Sequence, residues 1–208
     1  MYTGIVQELG EIISLDKRIG VTGVTVRASA RFMKGLEVGG SIALNGVCLT
    51  ATKIRSDEFC ADVSDATQAI TNLMSLKQDD RVNLERSAYS GGEVGGHLTA
   101  GHIDGTGLVT AVAMVGETIE LSMALPQEAK QYIFVKGFVA INGASLTVGS
   151  IDIESNIAKF TLVPETLRRT TFKGVKVGDK LNVEVDPVSR VLVDTVRRVL
   201  SSKGDDWS

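Results

Sequence analysis

One internal duplication limits what this chain can fold into more than any other feature. The run Ile42-Ala-Leu-Asn-Gly-Val-Cys-Leu-Thr50 returns as Val139-Ala-Ile-Asn-Gly-Ala-Ser-Leu-Thr147, an offset of 97 (142 against 45). At the same offset Gly4-Ile5-Val6 falls on Gly101-His102-Ile103, and Gly10 on Gly107. Further along, Asp65-Ala-Thr67 faces Pro164-Glu-Thr166 and Arg81-Val-Asn-Leu-Glu85 faces Lys180-Leu-Asn-Val-Glu184, now at an offset of 99 (164 against 65). The second copy has therefore gained two residues while keeping its landmarks in order. One apolar strand can repeat by chance; an ordered set of landmarks marks a repeated structural unit.

Each copy reads as β. Val24-Thr-Val-Arg27, Thr118-Ile-Glu-Leu-Ser122, Lys159-Phe-Thr-Leu-Val163 and Lys180-Leu-Asn-Val-Glu184 alternate with the period of two that half-buried strands show. Asn45-Gly46, Asn142-Gly143 and Lys176-Val-Gly-Asp179 punctuate them as turns. Glycine is rich (22 of 208 residues) and proline poor (3), a mix that suits short strands and tight turns better than a helix bundle. Several strands in about 90 residues suggest a small closed barrel, which leaves no sheet edge exposed. The predicted architecture is all-β: two tandem barrels over 1–97 and 98–187, then a C-terminal segment over 188–208. Short helices are predicted near Ala30–Gly35 and Pro126–Tyr132, the second with proline at a first turn. After Pro187, the apolar residues Val188, Leu192, Val196, Val199 and Leu200 recur at helical spacing between Arg190, Asp194, Arg197 and Arg198, which predicts an amphipathic helix. It suits packing on its own chain and self-association equally well. The tail Gly204–Ser208 is expected to fray.

Composition excludes several function classes. A hydrophobic fraction of 43% argues against a disordered chain, and a net charge of −3 lacks the footprint of a general nucleic-acid binder. No apolar run approaches the ~18 residues of a membrane span, and the N-terminal residues lack the basic and apolar segments of a secretory signal. Cys48 and Cys60 match no zinc spacing, and His97 and His102 stand five apart, so no metal site is expected. A cytoplasmic protein is the expectation. The run Ser90-Gly-Gly-Glu-Val-Gly-Gly-His97 lacks the Gly-Lys-Ser/Thr ending of a P-loop, and a hinge between the two barrels is its preferred reading.

Duplication also shows where to look for chemistry. Groups alike in both copies, such as the Asn-Gly turns, are sufficiently explained by structure. Thr50 and Thr147 suit either strand positions or hydroxyls in equivalent pockets. Cys48 faces Ser145, two nucleophile-sized groups at one point of each copy, although a cysteine in an apolar run is most often a small buried hydrophobe. His102 faces Ile5 and Lys136 faces Gly39, so the second copy alone gains an imidazole and an ammonium there, which makes it the favoured place for acid–base work.

Six stretches together resemble the riboflavin synthase family: Met1-Tyr-Thr-Gly-Ile-Val6, Asn45-Gly-Val-Cys-Leu-Thr50, Gly95-Gly-His-Leu-Thr-Ala-Gly-His-Ile-Asp-Gly105, Asn142-Gly-Ala-Ser-Leu-Thr-Val148, Pro164-Glu-Thr166 and Val193-Asp-Thr-Val196. The resemblance runs from Met1 to about Leu200. It implies two six-stranded Greek-key barrels and a helix that assembles a homotrimer. The implied reaction is a dismutation of two 6,7-dimethyl-8-ribityllumazine molecules with transfer of four carbons, giving riboflavin and 5-amino-6-ribitylaminouracil without a cofactor. It also implies that the N-barrel of one subunit faces the C-barrel of its neighbour, so two like substrates meet across an interface. Carried over by position, the N-barrel pocket takes Gly4, Ile5, Val6, Ser41, Cys48, Leu49 and Thr50, with Asp62, Val63, Ser64, Asp65, Ala66 and Thr67. The C-barrel pocket takes Gly101, His102, Ile103, Lys136, Ser145, Leu146 and Thr147, with Thr161, Leu162, Val163, Pro164, Glu165 and Thr166. Of these, His102, Ser145 and Thr147 are assigned to proton handling, Cys48 to the acceptor-side pocket, and Lys136 to binding or charge stabilisation.

Three positions depart from that family. Tyr2 stands where phenylalanine is usual, Ala66 where the first copy usually has glutamate, and Asn142 where aspartate is frequent. The loss of a ligand-facing carboxylate keeps open a second reading, a lumazine-binding antenna protein that descends from the synthase and does no chemistry.

Overall fold

The computed structural model describes residues 1–202. The first half forms a closed barrel of β1 (Glu8–Arg18), β2 (Val21–Arg27), β3 (Ser41–Leu44), β4 (Val47–Arg55), β5 (Glu58–Ser64) and β6 (Arg81–Arg86), in the spatial order β1-β2-β5-β4-β3-β6. The second half repeats that order with β7 (Gly105–Val115), β8 (Thr118–Ala124), β9 (Phe138–Ile141), β10 (Ala144–Thr147), β11 (Ser150–Asp152), β12 (Ile157–Leu162) and β13 (Lys180–Val185). It has seven strands where six were predicted, because the counterpart of β4 is broken into β10 and β11. The break has a local cause. β4 carries a bulge between Ala51 and Lys53, and at the matching place the second copy has Val148-Gly149. Glycine weakens a strand and favours a bulge becoming a bend. Val148 N still bonds Gly137 O at 3.0 Å and Gly149 N bonds Lys159 O at 2.9 Å, so the interrupted track remains tied to both neighbours. The two extra residues sit in the β11–β12 turn, Ile153–Asn156, where the first copy turns in two residues between β4 and β5.

Inward-facing strand residues make two separate cores, one including Ile12, Val26, Leu44, Phe59 and Leu84, the other Val109, Leu121, Ile141, Phe160 and Val183. The predicted helix near Ala30 forms as α1 (Ala30–Met33), whereas the one near Pro126 shrinks to a 3-10 turn over Lys130–Tyr132. Two helices escaped the sequence reading. α2 (Asp65–Ile70) follows β5 with Ser64 as its N-cap, and α3 (Pro164–Arg169) follows β12 with proline at its start. α4 (Pro187–Ser202) bears out the C-terminal helix; the tail Gly204–Ser208 lies outside the described residues. Asp186 caps it through Ser189 N at 3.0 Å, Tyr132 donates to Asp194 at 2.8 Å, and the Arg190 guanidinium lies 4.8 Å from the Tyr132 ring centroid and pairs with Asp104.

The barrels meet across an approximate two-fold axis built from asparagines. Asn83 N donates to Asn45 Oδ1 at 2.8 Å and Asn182 N to Asn142 Oδ1 at 2.7 Å. Across the junction, Asn83 Nδ2 donates to Asn142 O and Asn182 Nδ2 to Asn45 O, each at 2.8 Å. The two Asn-Gly turns stack so closely that a Cβ on Gly46 would lie 2.7 Å from Gly143 N, and both glycines have positive φ (81° and 79°). Only glycine tolerates both conditions. Asn142 thus spends its side chain on Asn182 N and on Asn72 Nδ2 at 3.0 Å, a structural position. Asn72 breaks the symmetry, since Thr171 occupies the matching place.

Candidate functional site

The alternation of β4 sends Val47, Leu49 and Ala51 into the core, and so turns Cys48 and Thr50 outward. By the same rule Ala144 and Leu146 point in, and Ser145 and Thr147 point out. The chemistry-bearing groups therefore lie on the outer wall of each barrel, not in its interior. Beside them the sheet splays. The β4–β5 ladder ends at the Ala51–Ala61 pair, leaving Asp62–Ser64 paired only to β2. Likewise β11 pairs β12 only as far as Lys159, so Phe160–Leu162 are paired only to β8. Each barrel thus has a slot with an outward hydroxyl or thiol on one side, an open backbone edge on the other, and a short helix at its end.

What covers each slot corrects the sequence reading. Gly4 does not close the Cys48 slot; it lies on the other barrel, accepting from Ser145 N at 2.7 Å. Gly101 lies on the first barrel, accepting from Cys48 N at 3.0 Å. Their neighbours follow: Val6 packs in the core of the second barrel and Ile103 against that of the first. The two leaders are exchanged. Gly4 thus carries its leader to Ser145 on the second barrel, and Gly101 carries its leader to Cys48 on the first. The physical reason is close approach. A Cβ on Gly101 would lie 2.5 Å from Cys48 Cβ, and one on Gly4 2.7 Å from Ser145 Cβ, both at positive φ. Each leader is anchored by a buried carboxylate. Glu85 accepts from Thr3 N at 2.7 Å, and Glu184 from Ala100 N at 2.6 Å and Gly101 N at 3.1 Å. Burial pushes both carboxyls up, Glu184 to about 7, against the pull of those amides.

The exchange separates His102 from Ser145. His102 is exposed and follows the glycine that touches Cys48. The imidazole that meets Ser145 is His97, whose Nδ1 lies 2.7 Å from Ser145 Oγ. His97 is 7% exposed, stacks on Phe138 with centroids 5.3 Å apart, and has no partner for Nε2 among the described residues. Burial lowers its pKa against the opposing pull of Asp186 nearby, and so favours the neutral ring, which can accept a proton. The run ending at His97 is no free hinge at that end: a Cβ on Gly96 would lie 2.4 Å from Thr3 O and 2.6 Å from Ser145 Cβ. The glycine pair before His97 is the one signal of this, since it lets backbone pass where a side chain would not. In the first slot the partner is different. Tyr2 donates its hydroxyl to Cys48 Sγ at 3.1 Å.

Other expected residues sit apart from these dyads. Ser41 pairs with Thr50 in the β3–β4 hairpin. Lys136 is exposed, with φ of 67° where the first copy has Gly39 at 90°. A lysine held in that region costs roughly 1–3 kcal/mol, a strain that the turn before β9 retains. Glu165 is drawn down to about 2 by Arg168 and Arg169 of its own helix, so its carboxylate is spent on α3, not on the slot. Ala66, its counterpart, is exposed on α2. Among the described residues, no group of three or more metal-ligating side chains converges, and no helix is long and apolar enough to cross a membrane.

The lumazine binding domain family matches the chain twice, over residues 3–87 and 100–186. The likeness extends over the whole length of relatives: the chain is 37% identical to the riboflavin synthase of Chlamydia pneumoniae over 206 residues, covering 99% of this chain and 100% of that one. The chain belongs to the riboflavin synthase family. The riboflavin synthase of Escherichia coli (strain K12) is 39% identical over 204 residues, covering 98% and 95%. Among solved structures, LumP complexed with riboflavin superposes with a TM-score of 0.81 at 25% identity, covering 89% of this chain and 99% of that one. LumP complexed with 6,7-dimethyl-8-(1'-D-ribityl)lumazine gives 0.80 at 24% and shares the fold.

Proposed function

We propose that this chain is a riboflavin synthase, a transferase that dismutates two 6,7-dimethyl-8-ribityllumazine molecules into riboflavin and 5-amino-6-ribitylaminouracil by moving four carbons between them. The observation that carries the reading is the pair of equivalent slots in one chain with unlike dyads, Tyr2–Cys48 and His97–Ser145. Two identical substrates need two like receptacles, and their opposite parts in the reaction need different chemistry in each. The open edges at Asp62–Ser64 and Thr161–Leu162 offer backbone donors and acceptors to the polar rim of the pteridine. Outward hydroxyls such as Thr50 and Thr147 suit the ribityl chain.

The 7-methyl group of one lumazine is acidic because its anion delocalises into the ring, and C7 of the other accepts a nucleophile. His97 is placed to take the Ser145 proton, so the Ser145 slot handles protons or generates the nucleophile; such general-base action contributes about 10²–10⁴-fold. Cys48 belongs to the opposite slot, with His102 on the leader above it. This departs from the sequence expectation that placed His102 beside Ser145. Each slot opens on the outer wall, where Thr50 and Thr147 are exposed. We infer that a neighbouring subunit's barrel closes it, the N-barrel of one against the C-barrel of the next. Face-to-face reactants would then gain roughly 7–11 kcal/mol from proximity. α4 supports trimer assembly: Val193 rests on the second core while Val188, Leu192, Val196 and Leu200 stay exposed. The reading also includes a small-molecule substrate, no cofactor, no nucleic-acid partner and a cytoplasmic location.

Purified protein supplied with 6,7-dimethyl-8-ribityllumazine should form riboflavin at one mole for each two consumed. Tight binding without turnover would replace this reading with the antenna protein, and neither signal would overturn both.

A further inference from the structure

The two slots differ most at the group that holds the reactive side chain. Ser145 Oγ meets an imidazole, a group able to accept a proton. Cys48 Sγ meets a phenol, 3.1 Å away, and the phenol is the donor. A phenylalanine at this position would keep the ring and lose that hydroxyl. A second aromatic ring would fill the same space; only the hydroxyl adds a contact with the sulfur.

The phenol is firmly placed. Tyr2 is 1% exposed, and its backbone forms a two-bond bridge with Thr99, Tyr2 N to Thr99 O at 2.9 Å and Thr99 N to Tyr2 O at 3.0 Å. Ala88 N holds the preceding carbonyl at 2.9 Å. Burial, reinforced by Cys48, raises the phenol pKa far above its ordinary value, so the O–H remains a donor throughout the working pH range. Cys48 itself is half-buried on the outward face of β4, and its backbone N–H is fixed to Gly101 O of the exchanged leader. The sulfur is therefore the one part of Cys48 free to rotate among staggered positions, and the Tyr2 hydroxyl removes that freedom.

We propose that Tyr2 is a positioning residue whose hydroxyl fixes the Cys48 sulfur in the first slot, so that turnover in this chain depends on the hydroxyl and not merely on the ring. The sulfur accepts from the phenol and its own S–H is turned towards the slot. The inference rests on the synthase reading for its effect on turnover, but its effect on the thiol stands apart from that reading.

The test uses the full-length protein and Tyr2→Phe, which keeps the ring and loses the hydroxyl. Alkylation of Cys48 and Cys60 by iodoacetamide is followed separately by peptide mass, and kcat and KM are measured with 6,7-dimethyl-8-ribityllumazine. The expected result is a threefold or greater slowing at Cys48, an unchanged rate at Cys60, and kcat three- to tenfold lower with KM within twofold. A three- to tenfold loss is about 0.65–1.4 kcal/mol, the size of one hydrogen bond. Tyr2→Leu, which removes the ring as well, should lose more and weaken binding too. If Tyr2→Phe leaves Cys48 alkylation and kcat within twofold of the parent, Tyr2 serves only as a buried ring and the proposal is overturned. Slower alkylation with unchanged kcat overturns it also, by showing the contact to be irrelevant to turnover. A parent protein that never makes riboflavin would defeat the synthase reading instead, while the alkylation ratio would still decide whether Tyr2 holds the thiol.

Discussion

Glu184→Gln should flatten a pH dependence of stability that the native fold builds in. Glu184 is 3% exposed, and burial carries its carboxyl from 4.5 up to about 7 even though the Ala100, Gly101 and His102 amides pull the other way. A folded state that holds this proton more tightly than the unfolded chain is favoured most below pH 4.5. Its advantage declines as pH rises through the window and is gone above about 7. At roughly 1.4 kcal/mol for each tenfold in proton affinity, that rise corresponds to about 3 kcal/mol. The variant keeps the shape of the side chain and an oxygen for Ala100 N, but cannot titrate. Its amide N–H₂ opposes a backbone donor at every pH, which offsets the whole curve without tilting it. Glu85 titrates in both proteins and cancels in the difference. Urea unfolding of parent and variant from pH 4.5 to 8 should therefore give a stability difference that moves by about 3 kcal/mol in favour of the variant as pH rises. A difference flat to within about 0.5 kcal/mol would refute the reasoning, because the folded and unfolded chains would then hold the Glu184 proton equally tightly and burial would not be raising its pKa.

Three further outcomes follow from the site and the helix. His97→Gln should cut turnover about 10²–10⁴-fold while ligand affinity stays within a few-fold, since an amide can touch Ser145 but cannot take its proton; equal loss of both would make His97 structural. The parent's turnover should rise with pH as the imidazole becomes neutral, with a midpoint below the ordinary 6.5 because burial favours the neutral ring, and the variant's pH–rate profile should lack that limb. A chain ending before Pro187 should sediment as a monomer; a persisting trimer would place the contact on the barrels instead.

Much of the fold was legible because duplication doubled every signal. The Asn-Gly turns and the Arg81–Glu85 and Lys180–Glu184 strands appeared twice, and both copies folded in the same order. The broken strand was not legible, since nothing in Val148-Gly149 alone separates a bend from a continuing strand. α2 and α3 escaped because each runs six residues directly out of a strand, too short for helical periodicity to show. The outward faces of Cys48, Thr50, Ser145 and Thr147 follow from strand alternation once the core side is known. The exchange of leaders could not be read, because sequence order places Gly4 in the first half whichever barrel it covers. Only three-dimensional contact shows that it lies on Ser145. That same exchange hid His97, which looked like the end of a linker until Gly96 and Thr3 were brought against the second slot.

The exchange has a consequence that two glycine substitutions can separate. Gly101→Ala puts a methyl 2.5 Å from Cys48 Cβ, and Gly4→Ala puts one 2.7 Å from Ser145 Cβ. Such contacts are too short to persist, and each residue also holds a left-handed conformation that costs alanine roughly 1–2 kcal/mol. The leader must therefore lift off the slot it covers. If leaders served their own barrels, Gly101→Ala would damage the Ser145 slot; with the observed exchange it damages the Cys48 slot across the junction. Titration with riboflavin should show one of the two slots weakened at least tenfold in either variant. Bound riboflavin should still protect Cys48 from iodoacetamide in Gly4→Ala and fail to do so in Gly101→Ala. The reverse pattern would mean that each half covers its own slot. In that case the two half-sites would be independent units joined by a linker. The observed contacts make them interdependent, so a lesion in either leader is felt in the opposite barrel.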